Sequence, residues 1–322
     1  MTIDSNNENI SDNEINEIFS ELHEGVIIPD TLYHYTDVDG FFGILNERSF
    51  WLSNHVYLND SQEIIDGANH FTNLIENLEN DEFKNSISKI MSNNDFKRLF
   101  SYNFCSYIIS FTEINESKSQ WKEYANDAKG FCIGFHYESL KKITDNSKYE
   151  IDYLFESSTY TYKDSMIFGK VIYSKERKNE VLEKCINDAK RKYYMEVSNI
   201  DDVQKKDVLL MTIIVGLINK VSRIVSMFKN NCYQDESEWR LVVQQPIIHE
   251  HSIVGSIKKV KYRNRNGIIV PFYIFDNLPI HSIISKITIG PKYPDKNEIG
   301  IKSFVRSLGL NINIVKSNVP LQ

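Results

Sequence analysis

The chain has 322 residues, of which 41% are hydrophobic and 12% aromatic, with 37 basic against 44 acidic side chains for a formal charge of −7. It is long enough to bury one large core or two modest ones, and its acidic balance does not suggest a dedicated DNA-binding surface, which needs clustered Lys and Arg against phosphate, while leaving room for a local basic stripe. Cys105, Cys132, Cys185 and Cys232 are far apart with no CxxC pair, which reads as reduced, mostly buried thiols and excludes a disulfide frame or a zinc knuckle.

The opening "MTIDSNNENISDNEIN" is acidic and Asn-rich, the opposite of a basic secretory leader, and residues 1–12 are expected to be disordered. A cytoplasmic chain is expected. "NEIFSELHEG" then spaces Ile15, Phe19 and Leu22 as on a helix, with Gly25 as its stop. "TLYHYT" is a strand, and "DVDGFFGILNERS" a helix capped by Thr36 or Asp37, with Phe41, Ile44 and Leu45 facing inward. "SFWLSN" is a second strand, and the loop "HVYLNDSQEI" leads into a helix around "EIIDGANHFTNLIENL". Residues 75–105 are charged and helical, expected as an insertion lying on the sheet.

"CSYIISFTE" is a strong strand, "SQWKEYAND" a helix starting near Ser119, and "GFCIGFHY" and "DSMIFGKVIYS" further strands. Residues 177–230 form a long helical section. Its apolar centre, "VLLMTIIVGLI" from Val208 to Ile218, falls short of the roughly 20 residues of a bilayer span and is expected as a buried helix, with no membrane partner. The last third returns to strands: "SEWRLVVQQ", "IKKVKYRN", "NGIIVPFYI" and "ISKITIGP", then a helix "KNEIGIKSFVRSLGL" and the strand "INIVKS". Strands in clusters without a βαβα rhythm predict an α+β fold with a mainly antiparallel sheet. Residues 13–322 are expected as one α+β domain with a helical insertion at about 177–230.

No dinucleotide glycine fingerprint, P-loop, HExxH or GxSxG occurs. The stripe "KKVKYRNR" is read as a solvated strand face. His249 and His251 share a strand face but lack a visible third metal ligand.

Four segments carry residue types that packing accounts for poorly. In "LYHYT", alternation puts Tyr33 and Tyr35 on one face and His34 with Thr36 on the other, able to hold a ligand hydroxyl or amide. "WLSNHVYLNDSQE" gathers Ser53, Asn54, Asn59, Asp60 and Glu63 around one loop, where capping is the plain structural alternative. In "QWKEYA", Trp121 and Tyr124 are three apart on one helix face and either pack on the sheet or close a slot over a flat ring. In "SEWR", Glu238 and Arg240 share a strand face: a surface ion pair, or a carboxylate for a cationic transition state beside a guanidinium for phosphate.

In this order, with the late "ISKITIGP" (Ile284 to Pro291), the segments resemble a bacterial family of unassigned function over roughly residues 30 to 295, least over 140 to 230. That layout in turn resembles the ADP-ribosyltransferase fold of the His-Tyr-Glu branch, a split antiparallel sheet around an NAD-binding cleft. The resemblance implies an NAD-dependent ADP-ribosyltransferase or NAD glycohydrolase, a bacterial toxin or phage-defence effector, cleaving the nicotinamide–ribose bond. NAD would be its substrate, and a protein, a nucleic acid or water the acceptor. His34 matches the ribose-holding histidine and Glu238 the glutamate. Tyr57, or else Trp121 or Tyr124, would stack on nicotinamide. Tyr35, Thr36, Ser53, Asn54 and Asn59 would line the cofactor site, and Arg240 would contact phosphate. The competing expectation is a non-catalytic nucleotide or nucleic-acid binding module, in which Glu238 is tied up by Arg240.

Overall fold

The computed structural model describes residues 23, 25–58, 62–91, 106–155, 158–244, 256–265 and 267–321. The expected disordered start and most of the helix after it lie outside these residues. Gly25, its expected stop, has φ +76°, the left-handed conformation that ends helices.

The first third runs β1 (Thr31–Thr36), α1 (Val38–Leu45), β2 (Phe50–Asn54), α2 (Gln62–Glu76), α3 (Glu82–Met91) and β3 (Ser106–Thr112). Then come α4 (Lys118–Tyr124), β4 (Phe131–His136), α5 (Tyr137–Asp145), β5 (Lys148–Phe155), β6 (Ser158–Ser165) and β7 (Ile167–Lys170). Two long helices, α6 (Lys175–Glu196) and α7 (Val203–Val225), precede β8 (Glu238–Gln244). The chain closes with β9 (Ser256–Ile257), β10 (Val260–Arg265), β11 (Ile268–Phe275), α8 (Ile280–Ile283), β12 (Ile284–Ile289), α9 (Glu298–Ser307) and β13 (Asn313–Lys316).

Among the described residues, ten strands form one sheet in the order β10-β11-β2-β3-β1-β4-β12-β13, with β8 and β7 branching from β3. All its pairs are antiparallel except β12 with β13. The period-two pattern of β3 and β8 explains their central place. Tyr107, Ile109, Phe111, Trp239, Leu241 and Val243 enter the main core on one face, while Ser110, Glu238 and Arg240 take the other side of the pleat.

The sheet forks at β3. One edge of β3 pairs with β8 along its whole length, Ser106 to Thr112. The other edge pairs with β2 only at Tyr107 and Ile108 and with β1 only at Thr112. Two half-sheets, β1-β4-β12-β13 and β2-β11-β10, therefore leave the same edge at opposite ends. Between them the stretch around Ser110 has no strand partner on that side.

A second core lies between helices. Phe71 and Ile75 of α2, Phe83, Ile87 and Met91 of α3, Leu182 and Ile186 of α6, and Leu217 and Val221 of α7 pack together. This corrects the expectation that the helical part of 75–105 lies on the sheet: α3 packs into the helical layer. The apolar run is longer than expected. α7 has 23 residues and is long and apolar enough to cross a membrane by length and composition, yet Ile214, Leu217, Ile218, Val221, Ile224 and Val225 are buried among the other helices. The hairpin of β5 and β6, and α5, were not expected from the sequence. Cys132 and Cys185 are buried as expected, whereas Cys232 is exposed.

Candidate functional site

The fork encloses a cavity of about 920 Å³, at the upper end of the roughly 300–1,000 Å³ of ordinary small-molecule sites. Its walls are the end of β1, the start of α1, β2, β3, α4, the start of β8 and β10, together with Lys229 and Glu236.

His34 fills the gap in the strand pairing. Its Nδ1 lies 2.8 Å from the Ser110 carbonyl, which can only accept, so Nδ1 carries the proton and donates. Burial lowers the ring's pKa, opposed by the Ser110 bond and the Asp37 charge. The ring is therefore neutral near pH 7, with Nε2 a bare acceptor. That atom has no partner among the described residues, and His34 lines the cavity.

Ser110 also meets the glutamate. Its hydroxyl donates to Glu238 Oε1 at 2.6 Å, so one residue joins His34 through its backbone and Glu238 through its side chain. Glu238 is 4% exposed. Arg240 Nε donates to Oε1 at 2.8 Å and Nη2 to Oε2 at 3.2 Å. Lys229 Nζ lies 2.9 Å from Oε2 and 2.6 Å from Glu236. Burial would raise the Glu238 pKa, but Arg240 and Lys229 outweigh it and hold the carboxyl at about 2. Four donors match the roughly four acceptor sites of a carboxylate. Two carboxylates and two cations cancel in charge.

The backbone around Glu238 is fixed as tightly. Its N–H donates to the Tyr173 hydroxyl at 2.9 Å and its carbonyl accepts from Val171. Ser237 before it has φ +45°, a left-handed conformation that costs about 1–2 kcal/mol outside glycine. It turns the 3₁₀ segment Asn231–Glu236 into β8.

Of the other expected site residues, Thr36, Ser53 and Tyr124 line the cavity. Thr36 is held close to the backbone beneath it, since a Cβ on Gly130 would stand 2.2 Å from its carbonyl. The Tyr124 hydroxyl reaches Glu236 at 3.5 Å, leaving its ring at the rim, 36% exposed.

Four expectations are corrected, for Arg240, Asn54, Tyr57 and Trp121, and a fifth residue, Tyr35, lines the cavity with its hydroxyl turned to the fold. Arg240 has no donor nitrogen left over: besides Glu238 it bonds the Ser226 and Phe228 carbonyls. Tyr35 borders the cavity, but its hydroxyl donates to the Ile114 and Asn115 carbonyls and accepts from Ser117 N–H, tying down a turn. Asn54 caps the 3₁₀ turn His55–Tyr57 by accepting from Val56 N–H. Tyr57 is 37% exposed on that turn and does not line the cavity. Trp121 is fully buried against Tyr35, its indole N–H donating to Glu116, so the helix face it was expected to share with Tyr124 is divided between core and cleft. Asn59, Asp60, His249 and His251 lie outside the described residues. Among the described residues no three His, Cys, Asp or Glu side chains form a metal-binding group.

Ser110, Lys229, Glu236 and Arg263 were not singled out from the sequence. Arg263 belongs to the stripe read as solvated, and that holds for Lys261, Tyr262, Asn264 and Arg265, which are exposed. Arg263 instead folds inward, its guanidinium 5.4 Å from the Phe272 ring centre and 5.7 Å from that of Trp51. No alternation in the stripe marks Arg263, since Lys261 and Arg265, two residues to either side, are both exposed.

The family model described as "Protein of unknown function (DUF2971)" is similar to this chain over residues 120–241. The match takes in Tyr124, Lys229, Glu236, Glu238 and Arg240 but stops short of His34 on one side and Arg263 on the other. No curated protein and no solved structure matches the chain.

Proposed function

We propose that the fork binds NAD and cleaves its nicotinamide–ribose bond, as an ADP-ribosyltransferase or NAD glycohydrolase. The observation that carries this is the convergence of a neutral His34 and an ionised Glu238 on Ser110 within one cavity. The forked sheet supports the likeness to the ADP-ribosyltransferase fold.

His34 Nε2 accepts a ribose hydroxyl, and the Tyr124 ring lies against the nicotinamide. As the C1′–N bond breaks, its electron pair leaves with nicotinamide and C1′ becomes oxocarbenium-like. Glu238 stabilises that cation and the 2′-hydroxyl. An acceptor oxygen, from water or a macromolecule, then bonds C1′ and loses its proton. For Glu238 to accept a ribose hydroxyl, one of its four donors yields. Lys229 is the one that keeps a counter-charge when it moves, because Glu236 already holds it at 2.6 Å.

The second reading, a module that binds the nucleotide without turning it over, is favoured by the saturated, charge-neutral surroundings of Glu238. Nicotinamide release from NAD separates them. Turnover lost in Glu238→Gln supports cleavage. Equal release by the two proteins ends the cleavage reading, and saturable ADP-ribose binding with no release supports the second.

A further inference from the structure

Three arginines of the structure are withdrawn from water, wholly or in part, beside the fork and its supports. Arg223 is buried on Asp164 and Arg240 on Glu238. Arg263 differs: among the described residues it has no carboxylate within ion-pair distance. A guanidinium moved out of water without a counter-charge is costly, and the buried Nε–H of Arg263 has no acceptor among the described residues. Burial, and after it the neighbouring Arg265, disfavour its charge, while Asp37 and Asp39 favour it from a distance.

The side chain is nonetheless held firmly. Nη2 donates to Ser53 Oγ at 2.9 Å, and the plane lies near the Trp51 and Phe272 rings. Trp51 is itself fixed by its indole N–H donating to Ser49 Oγ at 3.1 Å. Of five guanidinium donors, one has a partner among the described residues. Arg263, Asn264 and Arg265 all line the cavity, so two like charges stand side by side on one wall.

We infer that Arg263, braced by Ser53 and seconded by Arg265, is the phosphate-binding group of the cleft and takes the diphosphate of a nucleotide. Two adjacent arginines match a dianion better than a single carboxylate, and a planar fork matches phosphoryl oxygens. The spacing fits the proposed function, on which the placing of this ligand rests. Ser53 pairs with Ile108, two residues along β3 from Ser110. At about 3.3 Å per residue and 4.8 Å between strands, Ser53 and Ser110 are roughly 8 Å apart along the wall. That is the reach of a ribose with its 5′-phosphate. The assignment moves the phosphate role from Arg240, whose donors are all engaged, to a residue that the family match does not reach.

The test is calorimetric titration of ADP-ribose into the full chain and its Arg263→Gln, Arg263→Lys and Ser53→Ala variants, with nicotinamide riboside as the phosphate-free probe. Arg263→Gln is expected to weaken ADP-ribose about tenfold or more, as loss of charge-assisted hydrogen bonds does. Arg263→Lys and Ser53→Ala should fall between, and riboside binding should stay within about twofold. ADP-ribose binding by Arg263→Gln should also be less sensitive to added salt than that of wild type, because a screened charge pair is gone. Thermal unfolding verifies that each variant is folded. The inference is overturned if folded Arg263→Gln binds ADP-ribose like wild type, if riboside weakens equally, or if wild type binds no ADP-ribose. Arg263-dependent binding of a single-stranded oligonucleotide without ADP-ribose binding would overturn it in favour of a nucleic-acid backbone. Absent turnover with Arg263-dependent ADP-ribose binding refutes cleavage alone. Turnover with Arg263→Gln unchanged in KM refutes the phosphate site alone.

Discussion

Replacing Glu238 with Gln tests the charge cluster independently of any ligand. The carboxyl titrates at about 2 in the folded chain against an ordinary 4.5, a gap equivalent to about 3 kcal/mol of stability. That agrees with the roughly 3–5 kcal/mol expected for removing one partner of a buried ion pair, since Arg240 and Lys229 would be left facing each other with Glu236 as their remaining carboxylate. At about 2.1 cal/mol/K per residue, the unfolding entropy of this chain is near 0.7 kcal/mol/K, so the midpoint should fall by about 4–5 °C. Differential scanning calorimetry at neutral pH measures it. Because the folded pKa is depressed, the advantage of wild type is complete above 4.5 and lost as pH falls through about 2. Glutamine does not titrate, so the two midpoints should converge on acidification. Equal midpoints at neutral pH, or a gap that persists down to pH 2, would refute the view that the cluster holds Glu238 ionised.

Tyr124→Leu should leave stability within about 0.5 kcal/mol, as rim positions do, while weakening a nicotinamide-bearing ligand about tenfold, as lost stacking on a ring does; denaturant midpoints and calorimetric titration check both. Trp121→Ala should cost about 3–5 kcal/mol, read as a drop in urea midpoint, because the ring is fully buried against Tyr35. Burial holds the folded pKa of His34 below 6.5, so its contribution to stability is complete above 6.5 and lost as pH falls through the lower folded value. Nicotinamide riboside binding should likewise be level above 6.5 and decline only at more acid pH, and a binding profile already falling above 6.5 would contradict a neutral ring.

Local patterns were readable. Alternation in "LYHYT" and "SEWR" divided the faces correctly: Leu32 and Trp239 enter the main core while Tyr35 packs on Trp121 across the sheet. Asp37 caps α1 as expected, accepting from Gly40 N–H at 2.8 Å. The fork was not readable, because register between distant strands leaves no mark in either strand alone. Ser110 thus read as one more residue of an apolar strand, although its unpaired edge makes it the centre of the site. Tyr57 and Trp121 have the right chemistry for a nicotinamide platform, but a 3₁₀ turn carries one away from the cleft and the core absorbs the other. The β5–β6 hairpin had a legible signal that went unused: "KYEIDYLF" alternates, with Tyr149, Ile151, Tyr153 and Phe155 at every second position, and "STYTYKDS" pairs with it residue for residue.

Arg240 bonds the Ser226 and Phe228 carbonyls just past the end of α7 and, through its other nitrogens, Glu238. Lys229, one residue further, holds the same carboxylate. A helix of 23 residues is a rod about 35 Å long, and here its C-terminal end is tied to the Glu238 carboxylate. The place of that helix end and the charges around Glu238 are therefore set by the same contacts.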